Sequence, residues 1–280
     1  RHFRHGGLRI SSGIHEMATT VLPRQAWRLY PTSSPAVFFI EPKVKLQQLF
    51  GPQELPQTFA LRKMEARYMR PKDFNYQLPD DQVPEAAFFG RSNVGKSSLI
   101  NAVVGSDLMV TSQTPGRTRT LNFAQLTAQG GKQTGSRSWR LVDLPGYGYA
   151  RVARKESARW QEVTRQYFRD RSGQGLTRAF FLLDVRRPLD ESDARQLRML
   201  DKLHIQYQIV LTKWDKMSAH QDSQLLRQLG VLLGTKRSNM HHPAVVATSS
   251  TTGFGLEELR MFISAALTDP LGQGLGSDFS

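Results

Sequence analysis

Eight consecutive residues, Gly90-Arg91-Ser92-Asn93-Val94-Gly95-Lys96-Ser97, have the types and spacing that hold a chain of phosphates. Four residues separate the two glycines, and Lys and Ser follow directly, which is the phosphate-loop pattern. Glycine lets the backbone bend until successive N–H groups converge on phosphate oxygens. A helix starting behind them adds its positive dipole end. In that arrangement the Lys96 ammonium reaches the β- and γ-phosphates, and the Ser97 hydroxyl, next to Ser98, ligates Mg²⁺. The plainer alternative is a glycine-rich turn that matches by chance. Context argues against it. Ala86-Ala87-Phe88-Phe89 reads as a short buried strand leading in, and Ser98-Leu99-Ile100-Asn101-Ala102-Val103-Val104 reads as a helix leading out.

Three further strings could complete such a site. In Asp143-Leu144-Pro145-Gly146 the carboxylate can hold the hydration shell of Mg²⁺, and the Gly146 N–H can sense a γ-phosphate; a simple Pro-Gly turn would look the same. In Thr212-Lys213-Trp214-Asp215 the Asp215 carboxylate can accept both N1–H and N2–H₂ of guanine, a donor pair that adenine lacks, while Lys213 lays its stem on the base plane. Thr248-Ser249-Ser250 can close over the base edge with backbone N–H groups. Each is weak alone. All three fall at the carboxyl ends of expected strands, where open α/β sheets bind their ligands.

Those strand ends are set by the pattern of the whole chain. From Glu85 onward, apolar runs alternate with helical patterns, which signals a parallel α/β sheet. Strands are expected at 86–89, 121–127, 139–144, 177–185, 205–211 and 244–247, and helices at 98–104, after 154, and at 190–203, 218–233 and 256–267. The continuous run TRAFFLLDV (177–185) suits a central strand covered on both faces. Residues 105–120 read as a long polar loop, and 129–138 as a hairpin connection. The expected architecture is a mostly parallel six-stranded sheet with helices on both faces, over 85–268. Residues 41–84 are rich in Pro and Gln and read as an extension, with a short helix expected at 59–69 (FALRKMEARYM) and stopped by Pro71. Residues 269–280 read as a tail.

The 280 residues carry a formal charge of +14 and a pI near 10.3. Such a balance favours a polyanionic partner, nucleic acid or an anionic membrane surface, over a merely basic protein. With no Cys, disulfides and thiolate metal sites are excluded. The longest apolar runs, such as 36–40, are far too short to span a bilayer. Residues 1–40 hold Arg1, Arg4, Arg9, Arg24 and Arg28 against Glu16 and are rich in Ser and Thr, which is the composition of an organellar presequence. A basic arm that stays on and contacts RNA is the alternative. The chain opens on Arg1, as expected for a start that is missing or already removed.

Together, FFGRSNVGKSSLINAV (88–103), TPGRTRTLNF (114–123), VDLPGYGYARV (142–152), FLLDVRRPLDESD (181–193) and VLTKWDKM (210–217) resemble the translation-factor-type GTPases, and among them the EngB family, also called YihA or YsxC. GYGYA after DLPG, and Trp160 in the following helix, are more specific than the generic strings. The resemblance implies a P-loop GTPase (G domain) that hydrolyses GTP to GDP in the course of large ribosomal subunit assembly, with Mg²⁺ at the phosphates. It places the switch threonine in GRT, making Thr118 the second Mg²⁺ ligand beside Ser97 and Asp143, with Gly116, Arg117, Thr118, Arg119 and Thr120 covering the γ-phosphate. The long basic N-terminal region and the glycine-rich insert at 129–138 depart from the family and leave the docking mode open.

Signalling GTPases place a Gln just after the DxxG turn to orient the attacking water. Tyr147 stands there instead, so slow intrinsic hydrolysis is expected, carried by Lys96, Thr118, Gly146 and Asn93. Related GTPases with Asn at position 93 bind K⁺ between the phosphates; otherwise Asn93 only stabilises the turn. On a helical wheel from Arg154, Trp160, Val163 and Tyr167 share one face, with Arg154, Lys155, Arg165 and Arg169 opposite. That cationic face is expected to meet RNA phosphates rather than stay merely solvated. The expected partners are ribosomal RNA and proteins of an immature large subunit, and other assembly factors. The expected place is the mitochondrial matrix, with chloroplast or cytoplasm as alternatives, and the free protein is expected as a monomer. Two competing readings are an RNA-bound assembly placeholder with a structural nucleotide, and a P-loop kinase or metabolic ATPase, which TKWD with TSS argues against.

Overall fold

The computed structural model describes residues 27–28, 38–40, 61, 64–69, 78–79, 82–111, 120–128, 137–148, 154–217, 219–234, 240–242 and 244–268. Its strands are β1 (Trp27–Arg28), β2 (Phe38–Ile40), β3 (Glu65–Met69), β4 (Glu85–Gly90), β5 (Asn122–Ala128), β6 (Arg137–Asp143), β7 (Leu176–Asp184), β8 (Tyr207–Thr212) and β9 (Ala244–Ala247). The helices are α1 (Lys96–Val104), α2 (Arg154–Arg171), α3 (Glu191–Lys202), α4 (Ala219–Gly234) and α5 (Leu256–Thr268). Among the described residues the strands form one sheet in the order β1-β2-β9-β8-β7-β4-β6-β5-β3.

The six strands expected from Glu85 onward are all present, close to their expected places. Pairing is parallel from β6 through β4, β7 and β8 to β9, and antiparallel where the β5–β6 hairpin returns. Alternation along the central strands explains their unbroken apolar runs. Ala86 and Phe88 of β4, Phe180 and Leu182 of β7, and Val210 of β8 join a core closed by α1 and α5. Their neighbours Ala87 and Phe89, Phe181 and Leu183, and Ile209 and Leu211 join the opposite core, closed by α2, α3 and α4. A strand covered on both faces has no solvent side onto which polar residues can alternate, which is why period-2 patterning is missing there.

The edges depart from expectation. The helix expected within 59–69 is instead strand β3 over Glu65–Met69, antiparallel to β5, with Tyr68 beside Ala124 in register. Leu, Lys, Met, Glu and Ala favour helix locally, but the open edge of β5 offers a ladder of backbone partners. The side chains follow period 2: Glu65 and Arg67 are exposed, while Ala66 and Tyr68 pack on the core. At the other edge β2 adds parallel to β9. No helix among the described residues is long and apolar enough to cross a membrane.

β4 is the pivot of this topology. The chain leaves it toward β6 on one side and returns to β7 on the other, so a crevice opens at the carboxyl ends of these strands. The ends of β8 and β9 open on the same edge.

Candidate functional site

The loop from Gly90 to Gly95 carries the chain from β4 into α1. Gly95 is the N-cap, with φ 104, a left-handed conformation that glycine adopts without strain, and no side chain caps the helix. Among the described residues the amides of Gly95, Lys96, Ser97 and Ser98 have no acceptor. Four unpaired donors at a helix start are a ready seat for phosphate oxygens. Lys96 is buried, and its Nζ donates to the Arg91 carbonyl at 3.2 Å, which holds the ammonium across the loop. The DxxG segment lies directly on this loop. The Ser92 amide donates to the Tyr147 carbonyl at 2.9 Å, and a Cβ on Gly146 would stand 2.7 Å from the Ser92 nitrogen. Only glycine allows that approach, which packs Gly146 against the backbone of the phosphate loop at Arg91 and Ser92.

Ser97 Oγ donates to Asp143 Oδ2 at 2.5 Å, so the hydroxyl and carboxylate expected around Mg²⁺ are in contact. Asp143 is 1% exposed, and its Oδ1 has no hydrogen-bond partner. Burial pushes this carboxyl up, and the Lys96 ammonium and Ser97 hydroxyl pull it back. Burial likewise lowers Lys96, with Asp143 opposing. A buried carboxylate oxygen without a partner is costly unless a ligand completes it. A hydrated Mg²⁺ fits: it is bound through one or two protein oxygens with water and phosphate filling its shell. Among the described residues no group of three or more His, Cys, Asp or Glu gathers elsewhere as a metal site. Asn122 of β5 pairs in register with Asp143, so the segment ending at Thr120 enters beside this carboxylate. Gly116, Arg117, Thr118 and Arg119, expected over the γ-phosphate, lie outside the described residues.

At the far side, Asp215 Oδ1 accepts from Ser249 Oγ at 2.7 Å, which aims the carboxylate and holds its pKa down. Trp214 stacks on Phe254 with an interplanar angle of 5°, tying the two base-side loops together. The Thr212 hydroxyl donates to the Val94 carbonyl at 2.7 Å, pinning the phosphate loop to β8. Lys213, left-handed at φ 60, donates from Nζ to the Asn93 carbonyl at 2.6 Å and to Asp184 at 2.9 Å. Its stem therefore bridges the loops that would flank a base and its phosphates. The expected role of Thr248-Ser249-Ser250 needs correction. The amides of Thr248 and Ser249 already donate to Leu211 and Phe254 carbonyls, at 2.7 and 2.9 Å, so only the Ser250 amide has no acceptor among the described residues. Ser249 acts instead by orienting Asp215.

Sequence reasoning gave no role to three carboxylates in the string FLLDVRRPLDESD. Asp193 accepts two bonds from the Arg91 guanidinium, both at 2.8 Å, and one from the Tyr147 hydroxyl at 2.7 Å. Asp190, the N-cap of α3, also pairs with Arg91 and forms a capping box with Asp193. Asp184, the last residue of β7, would be raised by burial, yet bonds from Arg186 and Lys213 hold it at about 2. The Asp-x-x-Asp spacing of a capping box was a readable signal; the partner of Arg91, 102 positions away, was not. Tyr147 is buried, stacked on Phe181, and spent on the core and on Asp193. Nothing at that position resembles a water-orienting Gln.

Helix α2 bears out half of its wheel. Trp160 and Tyr167 are buried, and Arg165 and Arg169 are exposed. Both exposed arginines, however, pair with Glu162 on the same helix, which reduces the positive face. The side chains of Arg154 and Lys155 lie outside the described residues.

A family model described as "50S ribosome-binding GTPase" matches residues 85–213. The chain is 42% identical over 194 residues to a "Probable GTP-binding protein EngB" of Rhodospirillum rubrum, covering 69% of this chain and 80% of that protein. It is also 42% identical over 191 residues to the protein of that name from Sinorhizobium fredii, covering 68% of this chain and 86% of that one. The structure of a single-site variant of Era from Aquifex aeolicus bound to GDP·AlF4⁻ superimposes with a TM-score of 0.50 at 19% identity, over 66% of this chain and 56% of that one, which bears on the fold alone. Phosphate loop, DxxG turn and base-side loops meeting at one sheet edge agree with these relatives: the chain belongs to the EngB family and is a P-loop GTPase.

Proposed function

We propose that this GTPase is an assembly factor for the large ribosomal subunit of an organelle, the mitochondrion first, and that it docks in its GTP state through basic surface near the switch segments. The observation that carries the reading is the meeting of two things in one molecule. One is a nucleotide edge on which the phosphate loop, the DxxG turn and the base-side loops meet, in a family whose model is described as ribosome-binding. The other is a charge of +14, which suits a partner as anionic as RNA. The Arg- and Ser-rich first forty residues support the organellar location.

In this reading the phosphate-loop amides and Lys96 seat the β- and γ-phosphates, and Asp215 selects guanine. Ser97 and Asp143, with Thr118, would hold Mg²⁺, which when bound neutralises charge developing on the phosphates. The Gly146 amide reads the γ-phosphate, and closure of the 116–120 segment over it reports the nucleotide state to the ribosomal partner. Asn93, exposed at the mouth of the loop, is where a K⁺ ion would add charge. The position of Tyr147 keeps a second reading in play, an RNA-bound placeholder whose nucleotide is structural.

The test is sedimentation of the full chain with immature mitochondrial large subunits, with a non-hydrolysable GTP analogue or GDP, alongside single-turnover hydrolysis. Association with the analogue, release with GDP, and hydrolysis accelerated by particles are the expected results. Nucleotide-independent association without acceleration would favour the placeholder, and no association would end the ribosomal reading.

A further inference from the structure

Away from the nucleotide edge, α2 and α3 leave an open groove of about 460 Å³ between them. Arg165 and Arg169 of α2 form one wall, and Arg195, Arg198 and Lys202 of α3 form the other, above a floor that includes Met199. Among the described residues no carboxylate lines it. Glu162 pairs with Arg165 and Arg169, and Glu191 pairs with Arg198, yet Arg195 and Lys202 have no carboxylate partner among the described residues.

The spacing makes this more than scattered surface charge. Positions 195, 198 and 202 lie on one stripe of α3, and 165 and 169 lie one turn apart on α2. Seven residues of helix rise about 10 Å. Like charges held along that length repel each other, and a ligand carrying regularly spaced anions relieves the repulsion. A nucleic acid presents a charge about every 1.7 Å of duplex axis, so such a trough meets several phosphates at once. Four of the five cations are guanidinium groups, whose planar forks bind phosphate oxygens in pairs. A membrane surface fits less well, because the groove is concave. The exposed large apolar side chains among the described residues, Val110 and Val231, are on neither helix.

The groove's position adds to the argument. α2 follows the Gly146 turn, and the N-terminus of α3 is bonded to Arg91 of the phosphate loop. One wall therefore belongs to a helix whose start is bonded to the phosphate loop, and the other to the helix that comes next in the chain after the Gly146 turn. We propose that the α2–α3 groove is a docking site for the phosphate backbone of RNA. This rests on the ribosomal reading for the choice of polyanion, and it moves most of the contact from α2 to Arg195, Arg198 and Lys202 of α3.

The test uses the full chain and a short fluorescein-labelled RNA hairpin, with affinity followed across a salt series. The variant Arg195→Gln/Arg198→Gln/Lys202→Gln changes three exposed side chains, and GDP affinity and melting temperature check that it is folded. Its hairpin affinity should fall about tenfold or more, and its slope in log affinity against log salt should become shallower by about 2, near 0.7 for each contact removed. A control variant, Arg67→Gln/Arg137→Gln/Arg227→Gln, removes equal charge elsewhere and should change both quantities far less. Equal losses in both variants would mean net charge alone, and unchanged binding in the groove variant would place the RNA elsewhere; either overturns the proposal. Groove-dependent binding of polyglutamate that the hairpin cannot displace would overturn it in favour of an acidic protein. Sedimentation with large-subunit particles, run in parallel, keeps the two ideas apart. Groove-dependent hairpin binding with no particle association supports the groove and sinks the ribosomal reading. Particle and hairpin binding that both survive in the groove variant do the reverse.

Discussion

At the start of β4, Glu85 is fully buried with both carboxylate oxygens engaged. Arg140 and Arg171 pair with one at 3.5 and 3.1 Å, and the Tyr167 hydroxyl donates to the other at 2.8 Å. Burial raises this carboxyl, and Arg171, Tyr167 and Arg140 in turn pull it back. Toward the other end of the strand, Asp143 of β6, in register with Phe88, is also buried but has a single bond, from Ser97, and an oxygen left over. The difference separates structural from functional polarity. A carboxylate whose bonds close on the protein fixes β4, β6 and α2 together. One left incomplete beside four unpaired amides is waiting for something from solution.

That contrast can be broken by mutation, and the largest effect belongs to the closed end. Glu85→Leu leaves two buried guanidinium groups without their carboxylate, and removing one partner of a buried pair costs about 3–5 kcal/mol. Urea unfolding should show that loss, while GTP affinity of the folded fraction stays unchanged. A loss below about 1 kcal/mol would mean the cluster is better hydrated than its burial suggests.

The open end should respond the other way. Asp215→Asn keeps the Ser249 bond but loses an acceptor for the guanine N1–H/N2–H₂ pair. A charged hydrogen bond is worth about 1.5–3 kcal/mol, so GTP affinity should drop roughly ten- to a hundredfold, with a shift toward xanthine nucleotides. Folding stability should hardly move, because the Ser249 bond persists and the other oxygen's partner, Lys216, is an exposed cation whose ion pair is worth little. Unchanged GTP binding in a titration would remove Asp215 from the base site.

The same contrast explains what the sequence could and could not reveal. The nucleotide edge was legible because each part is local: Gly90 to Ser97, Asp143 to Gly146 and Thr212 to Asp215 carry their function in contiguous strings. The apolar runs of β4, β7 and β8 announced a doubly covered sheet, and the topology then gathered the strings at one edge. Glu85, Arg140 and Arg171 gave no such signal. The two arginines lie 55 and 86 positions beyond Glu85, and burial of an ion pair is decided by packing, not by spacing. Strand β3 was missed for a related reason, since FALRKMEARYM favours helix until the β5 edge is available. The Asp193 link to Arg91 and Tyr147 needed the fold, whereas the pairing of Glu162 with Arg165 and Arg169 lay within one helix and was readable at its three- and seven-residue spacings.

The most direct test of the incomplete-carboxylate account is Asp143→Asn, measured for nucleotide-free stability and for Mg²⁺-dependent GTP hydrolysis on the same preparation. Removing a buried, partly unsatisfied charge should change urea stability by no more than about 1 kcal/mol, because the Ser97 bond can persist. Hydrolysis at limiting Mg²⁺ should fall at least about tenfold, the equivalent of about 1.4 kcal/mol in the barrier. The opposite pattern, a destabilisation of several kcal/mol with full Mg²⁺-dependent activity per folded molecule, would make Asp143 a structural residue and contradict the account.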